Sequence, residues 1–554
     1  MMNTATPRDL RELLSLAAGF GTKTAFRDKT DGIYQDLSYA RFCAEATALS
    51  LMLSRRLSAG DRVMIIGENS YRWALSYMAL TLMGAVPVPV DPTVRAKELA
   101  TVTEASGAVG VLYAPTQRRL RRAFVGLAAV CFDKYFALVA EGKRRLSEGE
   151  APPTPECDPD ALAALFFTSG TTGAAKGVML SHKNLLTAAM SLTDHLPIGR
   201  EDTLLSVLPL SHIYECVCGF LAPIAVGATV AFGEGLSHIL RNMREVCPTC
   251  MITVPYVAEA LYRKCWERIK ENGGETRVRR FIAVSDPVRP LSARQMMKER
   301  LLRAERAYFG GALRRLLVLG EGMDVTAQKG LRQLGVLALQ GYGLTECAGL
   351  AAMNAHDGYR DGTAGVALDG CLLDIYNAQP DGSGEIRCKG DNVMLGYLGD
   401  GESAVCDGWY YTGDIGRLDA DGYLIIEGRR QNCIRQAGGR SVCPEALERA
   451  LCQSPLIKEA VVVGVLDPST KDSRPAAMIR PDDEYTAELL GREADEEATE
   501  LLIDEWVAEI NRSLLPYQQI ALYALCEEPL PKDEAGRVRR ALVGELMEEI
   551  AAHA

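Results

Sequence analysis

The sequence predicts an α/β protein with a large N-terminal domain and a smaller α+β unit at the C-terminus. Three observations predict it. From about residue 60, short β-branched runs alternate with helical patterns, a rhythm that suits parallel sheets covered by helices. In the last third, GEIRCKG, GWYYTGD and YLIIEGR are separated by the turn signals Asp381-Gly382 and Asp421-Gly422, which suits a small β subdomain of antiparallel hairpins. Beyond Gly428 a compact unit follows, with two amphipathic helices and two apolar strands.

A chain of 554 residues is too long for one hydrophobic core and divides into domains. The elements can be read in order. DRVMIIGEN is a strand, YRWALSYMALTLMG a helix and AVPVPV a strand. The apolar stretch 74–90 falls short of membrane-spanning length and carries two prolines near its end, and 220–232 is shorter still, so both read as buried core elements. The Pro-rich stretch SEGEAPPTPECDPD leads into the strand ALAALFFTSG. LRRLLVLG and VLALQGYG are strands flanking a short helix. After the β subdomain come a helix in PEALERALCQ with Pro444 in its first turn, a strand in EAVVVGVLD, a helix in LLIDEWVAEINRSLL and a last strand in IALYALCEEPL. The boundary is placed at 428/429, giving domains 1–428 and 429–554.

With 48% apolar and 24% charged residues, the composition is that of a soluble globular protein, and a net charge of −11 argues against nucleic acid as a partner. Sixteen scattered cysteines fit free thiols of a reducing compartment, and the lone CxxC of Cys247 and Cys250 has no second pair with which to hold zinc. No apolar leader stands in MMNTATPRDL, so a cytoplasmic location is expected, with peripheral membrane contact left open.

The stretch TSGTTGAAKG (168–177) has almost no apolar surface to bury; it offers backbone N–H groups, short hydroxyls and one cation. It is not a Walker A loop, because no glycine precedes Lys176 at the required spacing. It reads either as a surface linker or, with a strand fixing one end, as a concave array of donors for phosphate oxygens.

LFFTSGTTGAAKGVMLSHKNL closely resembles the signature of the adenylate-forming superfamily, which includes acyl-CoA synthetases, peptide-synthetase adenylation domains and luciferases. QGYGLTE (340–346), GWYYTGD (408–414), GRRQNCIRQAGGRSVCPEALE (428–448) and LPKDEAGRVRR (530–540) resemble its later motifs in order. LPLSHIYECV, REVCPTCMITVP and SPLIKEAVVVG resemble the long-chain fatty acyl-CoA synthetase branch more narrowly. The resemblance implies an N-terminal domain of two α/β subdomains plus the β subdomain, and a mobile C-terminal lid.

It also implies a reaction. ATP activates a medium- or long-chain fatty acid as the acyl-adenylate, and the acyl group passes to CoA or to the phosphopantetheine arm of an acyl carrier protein. By this resemblance Thr168, Ser169, Gly170, Thr171, Thr172 and Gly173 cradle the β- and γ-phosphates and Lys176 adds a point charge. Gly341, Tyr342 and Gly343 frame the adenine, Thr345 bonds phosphate oxygens and Glu346 holds Mg²⁺. Asp414 and Arg429 take the ribose, although Asp414 also reads as a turn residue. Arg430 to Asn432 would form the hinge, and the small residues 437–439, including Gly438 and Gly439, would line the thiol's path or simply form a turn. His212, in HxxE spacing with Glu215, is either an acyl-site residue or a core histidine.

Two departures stand out. The segment GEGM (320–323) carries Glu321 where the family has a small or apolar residue, between Gly320 and Gly322, which would line the acyl and adenine pockets. Arg537 stands where the family places a lysine between the substrate carboxylate and the α-phosphate. The exchange keeps the charge but changes its shape, so it either supports adenylation in a reshaped pocket or leaves a non-catalytic nucleotide- or acyl-binding homologue.

Overall fold

The structure is a computed structural model. It describes residues 7–553 apart from 157, 170–174, 277, 279–305, 321, 400–403, 437–439, 468–471, 491–495 and 533–537. The chain forms two compact units. The first comprises Met1–Leu373, Cys388–Tyr411 and Ala420–Leu424, and the second Asp374–Arg387, Thr412–Asp419 and Ile425–Ala554.

The first unit is organised by two main sheets. Strands Arg62–Ile66, Val86–Val90, Gly110–Tyr113 and Ala128–Cys131 make a four-stranded parallel sheet. The helix joining the first two, Tyr71–Leu82, starts where the Ser70 hydroxyl accepts the Trp73 N–H. Trp73, Tyr77 and Met78 on it are fully buried. That helix and the strand Val86–Val90 are the apolar stretch of the sequence, and both lie in the core as expected. Each large side chain withdrawn from water in this way contributes about 2 kcal/mol before conformational entropy is counted.

The second sheet has nine strands. Its centre is a parallel run in the order Leu337–Tyr342, Arg315–Leu319, Cys250–Thr253, Thr203–Ser206, Thr229–Phe232 and Thr24–Thr30. Ile33–Ser38 adds antiparallel at one edge, and Ala352–Met353 with Val366–Ala367 at the other. The fully buried strands are mostly apolar, as parallel strands covered on both faces are, with polar residues only at their ends, Thr229, Thr253 and Arg315. The second apolar stretch resolves into a short helix, Ala222–Val226, a turn at Gly227 (φ +73°) and the strand Thr229–Phe232.

In the second unit, strands Ile457–Leu466 and Ser473–Pro481 pair antiparallel, and Leu522–Leu525 adds parallel to the latter. Helix Pro444–Leu451 packs on one face through Leu447 and Leu451, together with Ile503, Val507 and Ile510 of helix Glu496–Ser513. Val543 and Met547 of a last helix, Arg540–His553, cover the other face. The sequence reading did not include that helix. Among the described residues no helix is long and apolar enough to cross a membrane, and no cluster of three or more ligating side chains could hold a metal. Cys247 is exposed while Cys250 is buried at the start of its strand.

Candidate active site

The glycine-rich stretch is flanked by two paired strands. Strand Leu162–Ser169 pairs antiparallel with Ala175–Ser181, and Thr168 faces Lys176 across the register. The loop therefore returns into a second strand, and the following helix, His182–His195, begins only at the Ser181 cap. Gly170, Thr171, Thr172 and Gly173 lie outside the described residues. A third short strand, Gly396–Tyr397, pairs with Met179 and Val178 and braces the hairpin from the far side.

That third strand brings two of the candidate residues together. The Tyr397 ring lies 4.7 Å from the Lys176 Nζ, and its hydroxyl donates to a Glu346 carboxylate oxygen at 2.7 Å. The Tyr410 hydroxyl sits 3.0 Å from the same oxygen of Tyr397, and the Met394 N–H donates to the Glu346 carbonyl. Burial, followed by the Glu346 charge, pushes the Tyr410 phenol well above its ordinary range, so it stays protonated as a donor. Tyr397 and Tyr410 were missed in the sequence. Their only signals were a lone tyrosine in MLGYLGD and the first of two adjacent tyrosines in GWYYTGD.

Glu346 follows the strand Leu337–Tyr342 in a short turn, Thr345–Cys347. The backbone is tightly packed there. A Cβ on Gly343 would stand 2.2 Å from the Gly349 carbonyl, and one on Gly341 2.8 Å from Leu319. Tyr342 is buried. Gly320 ends the neighbouring parallel strand with φ +117°, a conformation that favours glycine, and the Met323 N–H donates to the Gln340 side chain. Gly320 and Gly322 thus stand beside the Tyr342 strand end, while Glu321 is not among the described residues.

His212 follows the strand Thr203–Ser206, so it too lies beyond the carboxyl end of a parallel strand. Its segment is tied to the previous motif, because the Tyr214 hydroxyl donates to the Gly343 carbonyl at 2.6 Å. The Tyr214 N–H donates to His212 Nδ1 at 3.3 Å, and the surrounding protein depresses the imidazole's pKa although part of the ring reaches solvent. Open α/β sheets hold ligands along this edge.

Glu215 has a different environment. It opens a π-helix, Glu215–Leu221, is fully buried, and has no hydrogen-bond partner on either carboxylate oxygen. Its carboxyl folds back over Gly219, where a Cβ would come within 2.4 Å of it. Burial pushes its pKa up to about 8, so at pH 7 the neutral acid predominates.

In the second unit, Asp414 is 3% exposed and its Oδ1 lies 2.7 Å from the Arg429 Nη1. The Thr412 hydroxyl accepts from the Asp414 N–H and donates to the Ile386 carbonyl. Arg430 ion-pairs with Glu385, and its N–H donates to the Gly413 carbonyl. The two ribose candidates are thus direct partners on neighbouring strands, Trp409–Leu418 and Leu424–Arg429.

Lys532 pairs across an isolated bridge with Val538, and Arg537 lies outside the described residues, as do Gly438 and Gly439. The neighbouring cations are already engaged. Lys532 ion-pairs with Glu459 at 3.1 Å, and Arg540 bonds both oxygens of Glu448.

Residues 15–398 match the model of the AMP-binding enzyme family. The chain is 31% identical over 468 residues, 79% of its length and 77% of the relative's, to the long-chain-fatty-acid–CoA ligase FadD15 of Mycobacterium bovis. It is 28% identical over 510 residues, 82% and 70% of the two chains, to the human long-chain-fatty-acid–CoA ligase ACSBG1. The fold matches solved structures over nearly the full length of both chains. One is the anthranilate CoA ligase AuaEII in complex with anthranoyl-AMP (TM-score 0.74, 20% identity, 99% of each chain), and another a Mycobacterium tuberculosis fatty acyl CoA synthetase (0.66, 21%, 98% and 99%).

Proposed function

The chain belongs to the AMP-binding enzyme family, and from that premise we propose that it is an acid–thiol ligase that activates a medium- or long-chain fatty acid with ATP and transfers it to CoA. The observation that carries the reading is the Lys176–Tyr397–Glu346 assembly, in which one tyrosine takes the Lys176 cation over its ring and donates its hydroxyl to the Glu346 carboxylate. The relatives named as long-chain-fatty-acid–CoA ligases support the choice of acid.

A carboxylate resists attack by a thiol because it is anionic and would have to expel oxide. Coupling it to AMP replaces that leaving group, and the difficulty becomes one of neutralising phosphate charge. Thr168, the hairpin N–H groups and Lys176 take the β- and γ-phosphates and withdraw charge as pyrophosphate departs. Glu346 and Thr345 offer hard oxygen donors, and a single carboxylate beside a polyphosphate suits Mg²⁺, which binds through one or two carboxylates and the substrate's own oxygens. When bound there, the ion would add positive charge to the phosphates. The Tyr397 hydroxyl holds one Glu346 oxygen in place and leaves the other for that role.

Asp414 accepts from the ribose hydroxyls with Arg429 beside it, and Gly341 to Gly343 border the base. Arg537 supplies the cation that the family draws from lysine, bridging the acid and the α-phosphate, and residues 437–439 line the path of the thiol within the lid, 429–554. His212, Gly320 and Gly322 border the acyl group. We place the reaction in the cytoplasm, where ATP, CoA and reduced thiols are available.

A panel of saturated acids assayed with ATP, magnesium and either CoA or purified acyl carrier protein tests this reading. The expected result is AMP release with thioester formation on CoA for medium or long chains. Thioester formed only on carrier protein would move the acceptor, and no thioester on either would reject the ligase reading.

A further inference from the structure

All the cysteines among the described residues are free thiols, but two pairs lie in direct contact. The Cys347 and Cys388 sulfurs are 2.8 Å apart, and those of Cys433 and Cys443 are 3.1 Å apart. The first pair fits packing, because both residues are fully buried in an apolar interior, where cysteine behaves as a small hydrophobe.

The second pair sits differently. Cys433 immediately precedes the strand Ile434–Arg435 and Cys443 immediately follows Ser441–Val442, and these two strands pair antiparallel with Ile434 opposite Val442. The thiols therefore close one end of a two-stranded ribbon, at whose other end the Gln436 N–H donates to the Arg440 carbonyl. Cys443 is 7% exposed, whereas Cys433 reaches solvent in part. A chain of contacts orders the two protons, with Cys443 donating to Cys433 and Cys433 donating to the Arg429 carbonyl at 3.4 Å.

We infer that Cys433 and Cys443 form a reversible dithiol modification site for small disulfide oxidants of the glutathione class, with Cys433 as the attacking thiol and Cys443 as the resolving one. The asymmetry between the thiols supports the assignment of roles. The hydrogen bond from Cys443 draws the Cys433 thiol below the ordinary range, aided by Arg435 and opposed by burial and by Glu445 and Glu427. The same hydrogen bond, with burial, pushes Cys443 far up.

The exchange balances without any further reactant. The Cys433 thiolate attacks one sulfur of the oxidant and displaces one glutathione thiolate. Cys443 then gives up its proton and attacks the Cys433 sulfur, displacing the second. The two protein protons leave on two glutathione thiols, and a bond between Cys433 and Cys443 remains. Excess reduced thiol reverses both steps. The bond also removes the proton that Cys433 gives to the Arg429 carbonyl and pins both flanks of the loop containing 437–439. If those residues line the thiol's path, a consequence that rests on the proposed function, the oxidised protein slows at thioester formation and not at adenylation.

Full-length reduced protein, incubated in native form with stepped ratios of oxidised to reduced glutathione, then denatured, alkylated and mapped by mass spectrometry, tests the site without reference to activity. The expected result is joint loss of alkylation at Cys433 and Cys443, recovery of a linked peptide and reversal by dithiothreitol, while Cys347 and Cys388 stay reduced. Cys443→Ser should accumulate a stable glutathione adduct on Cys433, and Cys433→Ser should leave Cys443 alkylatable. The inference is overturned if both thiols stay alkylatable at ratios that glutathionylate the exposed Cys406, or if Cys433 keeps glutathione in the wild-type chain without closing on Cys443.

Discussion

The residues we propose for phosphate, in the first unit, and those we propose for ribose, in the second, are built on opposite plans. Lys176, Glu346 and Tyr397 come from three separate segments, and Tyr397 of the short strand Gly396–Tyr397 contacts both of the others. Asp414 and Arg429 come from paired strands of one sheet and are direct partners. The first arrangement links a cation and a carboxylate through one tyrosine, the cation over its ring and the carboxylate on its hydroxyl. The second satisfies a buried carboxylate in advance, so its work is orientation. The difference teaches that neutralising a polyphosphate calls for groups left unneutralised by each other, whereas holding a sugar calls for a fixed acceptor.

The comparison breaks first at its strongest point. Lys176→Ala or Glu346→Gln should each lower the rate of adenylate formation by about 10²–10³, the usual cost of one well-placed electrostatic group, and stopped-flow measurement of pyrophosphate release will show it. An effect under tenfold for both would mean that the phosphate side is placed wrongly. Arg537→Ala should cost about 10² in the same step, while transfer from a supplied acyl-adenylate to CoA stays within a few fold of wild type. Equal losses in both half-reactions would deny Arg537 its separate role.

Asp414→Asn keeps the shape and removes the charge. It should raise the KM for ATP by about tenfold to a hundredfold, as expected for a hydrogen bond to a charged group, with less effect on kcat. Arg429→Ala should do less, because its side chain is half exposed and solvent screens the pair. Tyr397→Phe keeps the ring over Lys176 and removes only the hydroxyl bound to Glu346, so about a tenfold loss or less in adenylation is expected, accompanied by weaker dependence on magnesium.

Glu215→Gln should change turnover least, under about twofold, because the native side chain is already predominantly neutral at pH 7. It should change stability more visibly. A carboxyl whose folded pKa of about 8 lies above its unfolded value keeps its proton only in the native state between those limits, so the stabilisation is full below the unfolded pKa and is lost as pH rises through 8. The wild type should lose stability from pH 5 to 8 at a slope of up to about 1.4 kcal/mol per pH unit, and the glutamine variant should flatten it. Parallel denaturation profiles for the two proteins would remove Glu215 from the account.

Much of this was legible in the sequence. The alternation of apolar runs specified parallel sheets, and the strand Leu337–Tyr342 with its turn at Thr345–Cys347 stands where GYGLTE placed it. Asp414 and Arg429, read separately for one task, are bonded to each other. What was not legible depends on long-range pairing. Tyr397 acquires its role only through a register with Val178, which no local periodicity encodes. The π-helix at Glu215, with its carboxyl folded over Gly219, is a packing arrangement rather than a pattern. Lys532 and Arg540, cations near Arg537 whose spacing does not match the family's lysine, are held by Glu459 and Glu448 in ion pairs whose partners lie far away in the chain.

The most direct measurement of the central claim is ATP–pyrophosphate exchange in the absence of any thiol, with and without a long-chain fatty acid. Acid-dependent exchange that disappears in Lys176→Ala, while that variant keeps its fold by circular dichroism, is the predicted result. Exchange that the wild type never shows with any acid, or that Lys176→Ala retains in full, would contradict it.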